Sequence, residues 1–379
     1  MRYSSIDCLK TIAIVVMVLV HFAENLSGIQ LPITGLGAPL FAFLSGLSYR
    51  LWVDGLEARD ISEEEISKRS IRRGLFVFAV GFAFNIFVWL PEDTYNWDVL
   101  TMIGVALLAL NVLRRLPLAI PILVAVVSIL VSPLLREMAG YREYWTSGYF
   151  EAELTLPDLL IGFFATGYFP FFPWIALSIV GLVIGTLLSR EQPVSSTSKV
   201  FQSGDGSESF LSASISNGLL PVFLGCALIT TTGVLLAART WLPSNIATRF
   251  LGGWQMFPPT VEYIIATIGM ACLLFGLLHR WIDRYRSWVV PETMSDLIKT
   301  FSRYSFTIYL VHHMVHLWPL WIYGYATGHE TTYYWEKAMS LNWSMPLAVF
   351  FLVICYLVLR KIGPDRRLGM EGWMRWLCD

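Results

Sequence analysis

Residues 6–25 read IDCLKTIAIVVMVLVHFAEN. From Ile12 to Val20 every side chain is apolar, and neither Gly nor Pro interrupts the stretch. It shows no period-two alternation, so it does not read as a strand of a membrane barrel. A helix of about 20 residues spans a hydrocarbon layer of about 30 Å. Arg2 and Lys10 ahead of the apolar run give it the look of a secretion signal. No small-residue cleavage site follows, however, and the run ends in His21 and Glu24. It reads as an uncleaved first membrane span.

Runs of the same kind recur at roughly 36–54, 74–91, 98–113, 117–135, 169–189, 218–239, 258–279, 301–322 and 344–361, which makes ten spans in all. The composition agrees. The 379 residues are 55% hydrophobic and only 15% charged, where a soluble domain carries about 25% charge. A net charge of −1 leaves no basic footprint for nucleic acid. Five scattered cysteines without CxxC spacing argue against a disulfide scaffold and against a thiolate metal site. With the N-terminus cytoplasmic and ten alternating spans, only Arg136, Arg142, Arg239, Arg249 and Lys337 of the 27 Lys and Arg fall on the outer side. That bias holds loop by loop and places both termini inside. The expected fold class is therefore an all-α polytopic membrane protein, a bundle of about ten transmembrane helices. It forms one integral-membrane domain over 1–379, with a flexible Ser/Gly-rich inner linker at about 190–216. An inner charged loop, 56–73, is expected to hold a short helix starting near Ser62-Glu63-Glu64-Glu65. An aromatic, acidic outer segment, 136–168, is long enough for a partly ordered lid.

Polar groups at membrane depth are costly, so they carry the functional information. His21 lies 11 residues after Lys10, which at 100° per residue places the two side chains on one helix face, about 16 Å apart. Asp7 and Glu24 flank them three residues out, so the first span gathers four ionisable groups near one stripe. A carboxylate beside an imidazole fixes its tautomer and raises its basicity, as a general base requires. For His21 the structural alternative is an interhelical hydrogen bond, and for Lys10 a snorkelling anchor. In the second span Ser45 and Gly46 suit close helix approach. Lys68, Arg69, Arg72 and Arg73 obey the positive-inside rule, and four cations around a helix mouth would also suit a phosphorylated ligand. Asp98 fits an N-cap. Trp174 sits in GYFPFFPW, at 167–174, where two prolines three apart fit a first helical turn; Pro258-Pro259 opens the eighth span in the same way. Glu262 lies just inside the outer boundary. His312, His313 and His316 share the ninth span, and no carboxylate or Cys completes a metal set at helical spacing, so no metal is expected there.

Taken together, these residues resemble the transmembrane acyltransferase superfamily. Lys10, ten residues and then His21 look like the Arg/Lys-X10-His signature of the acyltransferase-3 family. FLSG at 43–46, Arg72-Arg73 and SFTIYLVH at 305–312 are similar to further motifs of that family. GYFPFFPW, the Asp98-Val99-Leu100 start and FPPTVEYIIATIG at 257–269 look closer to a sister branch, the heparan-α-glucosaminide N-acetyltransferase-like proteins. Lys replaces the commoner Arg at position 10, and no appended soluble periplasmic domain is expected. The resemblance implies transfer of an acyl group, acetyl in the usual case, from cytoplasmic acetyl-CoA to a hydroxyl or amine of an envelope glycan or lipid-linked sugar. His21 would be base or acyl relay, with Glu24 orienting it and Lys10 as its partner across the motif. Arg69, Arg72, Arg73, Ser45 and Lys10 would contact the donor; Asp98, Trp174, Glu262 and His312 are substrate-side or structural candidates.

The expected partners are acyl-CoA, a sugar or glycolipid acceptor and the lipid bilayer, with no nucleic acid; a homodimer is compatible with the sequence but not specified by it. The cell membrane is the expected location. Direct attack on the thioester and an acyl-His relay remain open alternatives. A proton-coupled transporter or flippase is the competing reading, since buried His and Glu serve proton coupling as well. It predicts broken spans at matching places in two halves, and the six-plus-four division does not supply them.

Overall fold

The computed structural model describes residues 3–89, 94–95, 97–141, 155–190, 218–285, 291–362 and 368–379. The inner linker expected at 190–216 lies, from residue 191 on, outside the described residues, as does the middle of the expected outer lid.

Everything regular among the described residues is helical. In chain order the helices are α1 (Ser4–Ser27), α2 (Gly37–Glu57), α3 (Glu63–Val88), α4 (Val99–Leu113), α5 (Ala119–Met138), α6 (Leu156–Ile161), α7 (Phe171–Ser189), α8 (Leu219–Ala238), α9 (Ser244–Phe250), α10 (Val261–Leu278), α11 (Glu292–Arg303), α12 (Ser305–Ala326), α13 (Leu341–Ile362) and α14 (Met370–Cys378). Short π turns extend α6 (Gly162–Thr166) and α10 (His279–Arg284). A helix satisfies its own backbone groups, which is what an apolar solvent demands.

All ten expected spans coincide with helices. Seven described helices, namely α1, α3, α5, α7, α8, α10 with its π extension, and α13, are long and apolar enough to cross a membrane. Of the other three, α4 has only 15 residues, α2 carries Arg50, Asp54 and Glu57 in its last two turns, and α12 holds three histidines.

Two boundaries differ from expectation. The inner loop does not form a separate short helix, because α3 runs unbroken from Glu63 into the third span. Three glutamates in its first turn complement the helix dipole, and Glu64–Lys68 (2.6 Å) and Glu65–Arg69 (2.8 Å) pairs staple the next turn. Of the two proline pairs, Pro170 is the N-cap of α7 and Pro173 its third residue, as expected, but the second pair does not occupy a first turn. Phe172 has non-helical dihedrals inside the start of α7, and Pro258-Pro259 precede α10, whose N-cap is Thr260, accepting from the Tyr263 N–H. α6, α9, α11 and α14 carry no spanning run and add to the expected set.

The chain divides into two compact units. The first comprises residues 1–6, 42–82 and 95–289. Its helices meet at small residues: α2 packs on α7 at Gly46 and Gly181, and α8 on α10 at Gly225 and Gly269. Close approach of this kind drives helix association where no hydrophobic effect operates between apolar surfaces.

The second unit comprises residues 7–41, 83–94 and 290–379. Here α1 ends in a left-handed glycine cap, with the Gly28 N–H donating to Glu24 O (2.8 Å) and the Ile29 N–H to Ala23 O (3.2 Å). Gly28 takes φ +65°, and a Cβ there would stand 2.7 Å from the Glu336 carbonyl oxygen. Gly28→Ala is therefore expected to cost about 1–3 kcal/mol, read as a lowered melting temperature in detergent.

α14 caps α12 within the same unit. The Glu371 carboxylate accepts from the Phe306 N–H (2.7 Å), the Thr307 N–H (3.1 Å) and the Thr307 hydroxyl (2.5 Å). Two donors left over by the first helical turn are satisfied in this way. Burial, the larger influence, holds the Glu371 carboxyl above its ordinary value, against the lowering effect of those donors. The folded state thus retains the proton to higher pH than the unfolded chain does. Stability from this residue falls as pH rises from the ordinary carboxylate range through the raised value. Glu371→Gln is expected to remove that part of the slope in a pH series of thermal melts.

Candidate functional site

The second unit holds the site. α1 supplies His21 and Asn25, which one turn of helix places on the same face. α12 supplies His312, His313 and His316, whose side chains are 0%, 1% and 3% exposed, while His21 is half-buried. The His21 ring lies 5.4 Å from that of His312 and 4.5 Å from that of His313. His312 and His313 are themselves 4.0 Å apart, and His313 and His316 5.2 Å. Four of the chain's six histidines therefore meet at one place, whereas the sequence showed one in the first span and three in the ninth.

The ring nitrogens are sorted by their hydrogen bonds. His312 Nδ1 lies 2.6 Å from the Tyr309 carbonyl oxygen and so carries the hydrogen, which leaves Nε2 as the lone-pair nitrogen of the neutral ring. Among the described residues that Nε2 is buried without a partner, as is Nδ1 of His313. His316 donates from Nδ1 to the His312 carbonyl (2.6 Å), and its Nε2 accepts from the Asn25 amide (2.8 Å). Aromatic rings close in from the same unit: Phe84 and Trp89 stand 5.3 and 5.0 Å from His313, and Phe22 stands 4.9 Å from His316. Rotation of the imidazoles is thereby restricted.

The expected pairing of His21 with Glu24 does not form. Among the described residues the Glu24 carboxylate takes a hydrogen bond from Thr34 and faces Glu336. Residues i and i+3 share a face, but Glu24 stands in the last turn of α1, where the Thr34 hydroxyl of the following loop is within reach. His312 and His313 occupy the place beside His21 instead. Asn25 escaped the sequence reading, although its i+4 spacing from His21 was the available signal.

At the other end of α1, Asp7 accepts from the Ser302 hydroxyl (2.5 Å), and the Thr11 hydroxyl bonds the carbonyls of Asp7 (2.9 Å) and Ile298 (3.2 Å). Lys10 is half-buried between them along the chain. The N-terminal part of the stripe is thus tied to α11.

The remaining candidates belong to the first unit. Arg69 pairs with Glu65, Arg72 is exposed, and the Arg73 guanidinium stacks 4.1 Å over the Trp52 ring. Ser45 donates to the Ala42 carbonyl (2.7 Å) and lies 3.1 Å from the Ser178 hydroxyl, inside the α2–α7 seam. Asp98 is the N-cap of α4, accepting from the Leu100 N–H. Trp174 is fully buried, with Phe169 and Tyr263 against it. Glu262, also fully buried, accepts from the Gly253 N–H through Oε1 (3.1 Å), and its Oε2 has no partner among the described residues.

Seven long apolar helices among the described residues define a multi-pass membrane protein, and its second unit holds a buried group of imidazoles. The sequence profile of the heparan-alpha-glucosaminide N-acetyltransferase catalytic domain matches residues 2–224. That is more than half of the chain, and the chain belongs to this family of membrane acetyltransferases. The matched part contains His21, FLSG and Arg72-Arg73; the histidines of α12 lie beyond it. No curated protein matches the chain.

Proposed function

We propose that the protein transfers an acetyl group from cytoplasmic acetyl-CoA to the amine of a glucosaminide-type sugar, free or lipid-linked, on the far side of the cell membrane. His21 serves as the base. The observation that carries this reading is the position of His21. It lies within the family match, 11 residues along α1 from Lys10, and its ring stands against the His312–His313 pair. A base so placed needs a fixed orientation and a neighbour able to exchange a proton, and His312 offers an unpartnered Nε2.

His21 takes the proton that the amine loses as its nitrogen bonds to the acetyl carbon. The carbon–sulfur bond breaks, and the same proton passes to the departing thiolate. Lys10 lies about 16 Å nearer the cytoplasmic end of α1, a separation that a pantetheine arm spans. Arg69, Arg72 and Arg73, in the first unit, are donor-phosphate candidates on their motif and charge alone, Arg72 being the most exposed of the three. Glu262 is retained as an acceptor-side candidate for its unpartnered Oε2. The termini are placed in the cytoplasm on the distribution of Lys and Arg.

Thermal melts of the purified protein test the donor. Acetyl-CoA at about 100 times its dissociation constant should stabilise the folded state by about 2.7 kcal/mol, and ATP at the same concentration should not. Arg72→Ala/Arg73→Ala should shift the acetyl-CoA dependence to higher concentration. No stabilisation, together with thioester hydrolysis that His21→Ala leaves unchanged, would sink the reading.

A further inference from the structure

The grouping of His21, His312 and His313 goes beyond what a single base requires. Each offers one ring nitrogen, and the three nitrogens lie within 4.8 Å of one another. The helical spacing within α12 gave no such set; His21, arriving from α1, completes it. We propose that these three imidazoles form a binding site for a divalent transition-metal ion of the zinc class.

Three features support a built site. First, His312 Nε2 and His313 Nδ1 are buried and have no hydrogen-bond partner among the described residues. An unsatisfied buried acceptor is expensive, and a cation supplies the missing interaction. Second, the opposite nitrogen of His312 donates to the Tyr309 carbonyl at 2.6 Å. That arrangement fixes the tautomer and aims the lone pair, as the outer shells of metal-bound histidines do. Third, three neutral nitrogen ligands with a fourth position open to water or substrate is a familiar arrangement for zinc. Oxygen-seeking ions such as magnesium and calcium have no ligand of their own kind in the set. His316 is not counted as a ligand, because the His312 carbonyl and Asn25 already engage both of its nitrogens.

The site is defined by geometry and stands independently of acetyl transfer. If His21 is the base, a metal ion takes its lone pair, so zinc is an inhibitor that a chelator reverses.

The test uses the full chain in detergent, stripped with a chelator and titrated with Co²⁺ and then with Zn²⁺. The expected result is one Co²⁺ per chain, with the intense visible absorption of a tetrahedral ion, displaced stoichiometrically by Zn²⁺. His312→Ala and His313→Ala should each weaken binding by more than about 100-fold, beyond the loss of an outer-shell partner. His316→Ala and the exposed His329→Ala should retain the absorption, which guards against a general failure to fold. The proposal is overturned by the absence of saturable binding in the wild type. It is equally overturned by binding that survives both His312→Ala and His313→Ala. Either failure leaves the acetyl-CoA melts unaffected as a test of the enzyme reading.

Discussion

His21→Ala is expected to lower the rate of acetyl transfer by about 10²–10⁴-fold, the range over which a positioned general base acts, while the protein remains folded. The side chain is half-buried at the end of a helix whose packing residues, Leu9, Ile14, Val18 and Phe22, are fully buried and untouched by the change. Melting temperature and acetyl-CoA binding should therefore stay close to wild type as turnover falls. His312→Ala should also lower turnover, though by less, since its ring only neighbours that of His21 at 5.4 Å. Glu24→Gln should leave turnover within a fewfold of wild type, because its carboxylate is engaged with Thr34 and not with the imidazole. Initial rates of thioester cleavage for the three variants, measured beside melts of the same preparations, check all of this. A Glu24→Gln loss as deep as that of His21→Ala would restore the carboxylate–imidazole pair expected from sequence.

The second large effect is structural. A Cβ on Gly46 would fall on the Ser178 carbonyl oxygen and lie 2.7 Å from the Ser178 carbonyl carbon and 2.9 Å from Leu182 N. Gly181 repeats the situation from the other helix, where a Cβ would meet the Phe43 carbonyl and lie 2.8 Å from Leu47 N. These neighbours are backbone, so no rotamer change relieves the clash and the helices must move apart. Overpacking of a well-fitted contact costs about 1–3 kcal/mol and sometimes more, and here the substitution opens the seam along its length. Gly46→Val and Gly181→Val should each abolish recovery of monodisperse protein or lower the melting temperature sharply. Gly233→Ala is the matched control. No described residue lies within 4 Å of a Cβ there, and alanine favours a helix over glycine by about 1 kcal/mol, so it should be neutral or slightly stabilising. Size-exclusion profiles and melts of the three variants decide the matter.

The features legible in sequence were those set by local chemistry. The apolar run of α1 specified a spanning helix, and Lys10 and His21 fell on one face by helical arithmetic alone. Gly46 was legible as a packing residue for the same reason, since small residues signal close approach whatever the partner. The extent of α3 was misread, because the charged segment before it reads as a loop to a hydropathy criterion, whereas Glu–Lys and Glu–Arg pairs continue the helix. α11 and α14 went unseen, being short and amphipathic with no spanning run.

At the site the sequence supplied His21 but assigned it a neighbour by proximity along the helix. Its actual neighbours come from a helix nearly 300 residues later, and no periodicity within either segment reports that meeting. Asn25 shows a finer limit. Its spacing was visible, but its worth lies in the hydrogen bond to His316, which exists only after α1 and α12 pack.

The most direct measurement places the purified protein in sealed vesicles loaded with glucosamine and supplies acetyl-labelled acetyl-CoA outside. In vesicles whose protein termini face outward, label should accumulate on the internal amino sugar with wild-type protein and stay on the thioester with His21→Ala. Equal labelling by the two proteins, or no transfer by either, would contradict the account of a membrane acetyltransferase whose base is His21.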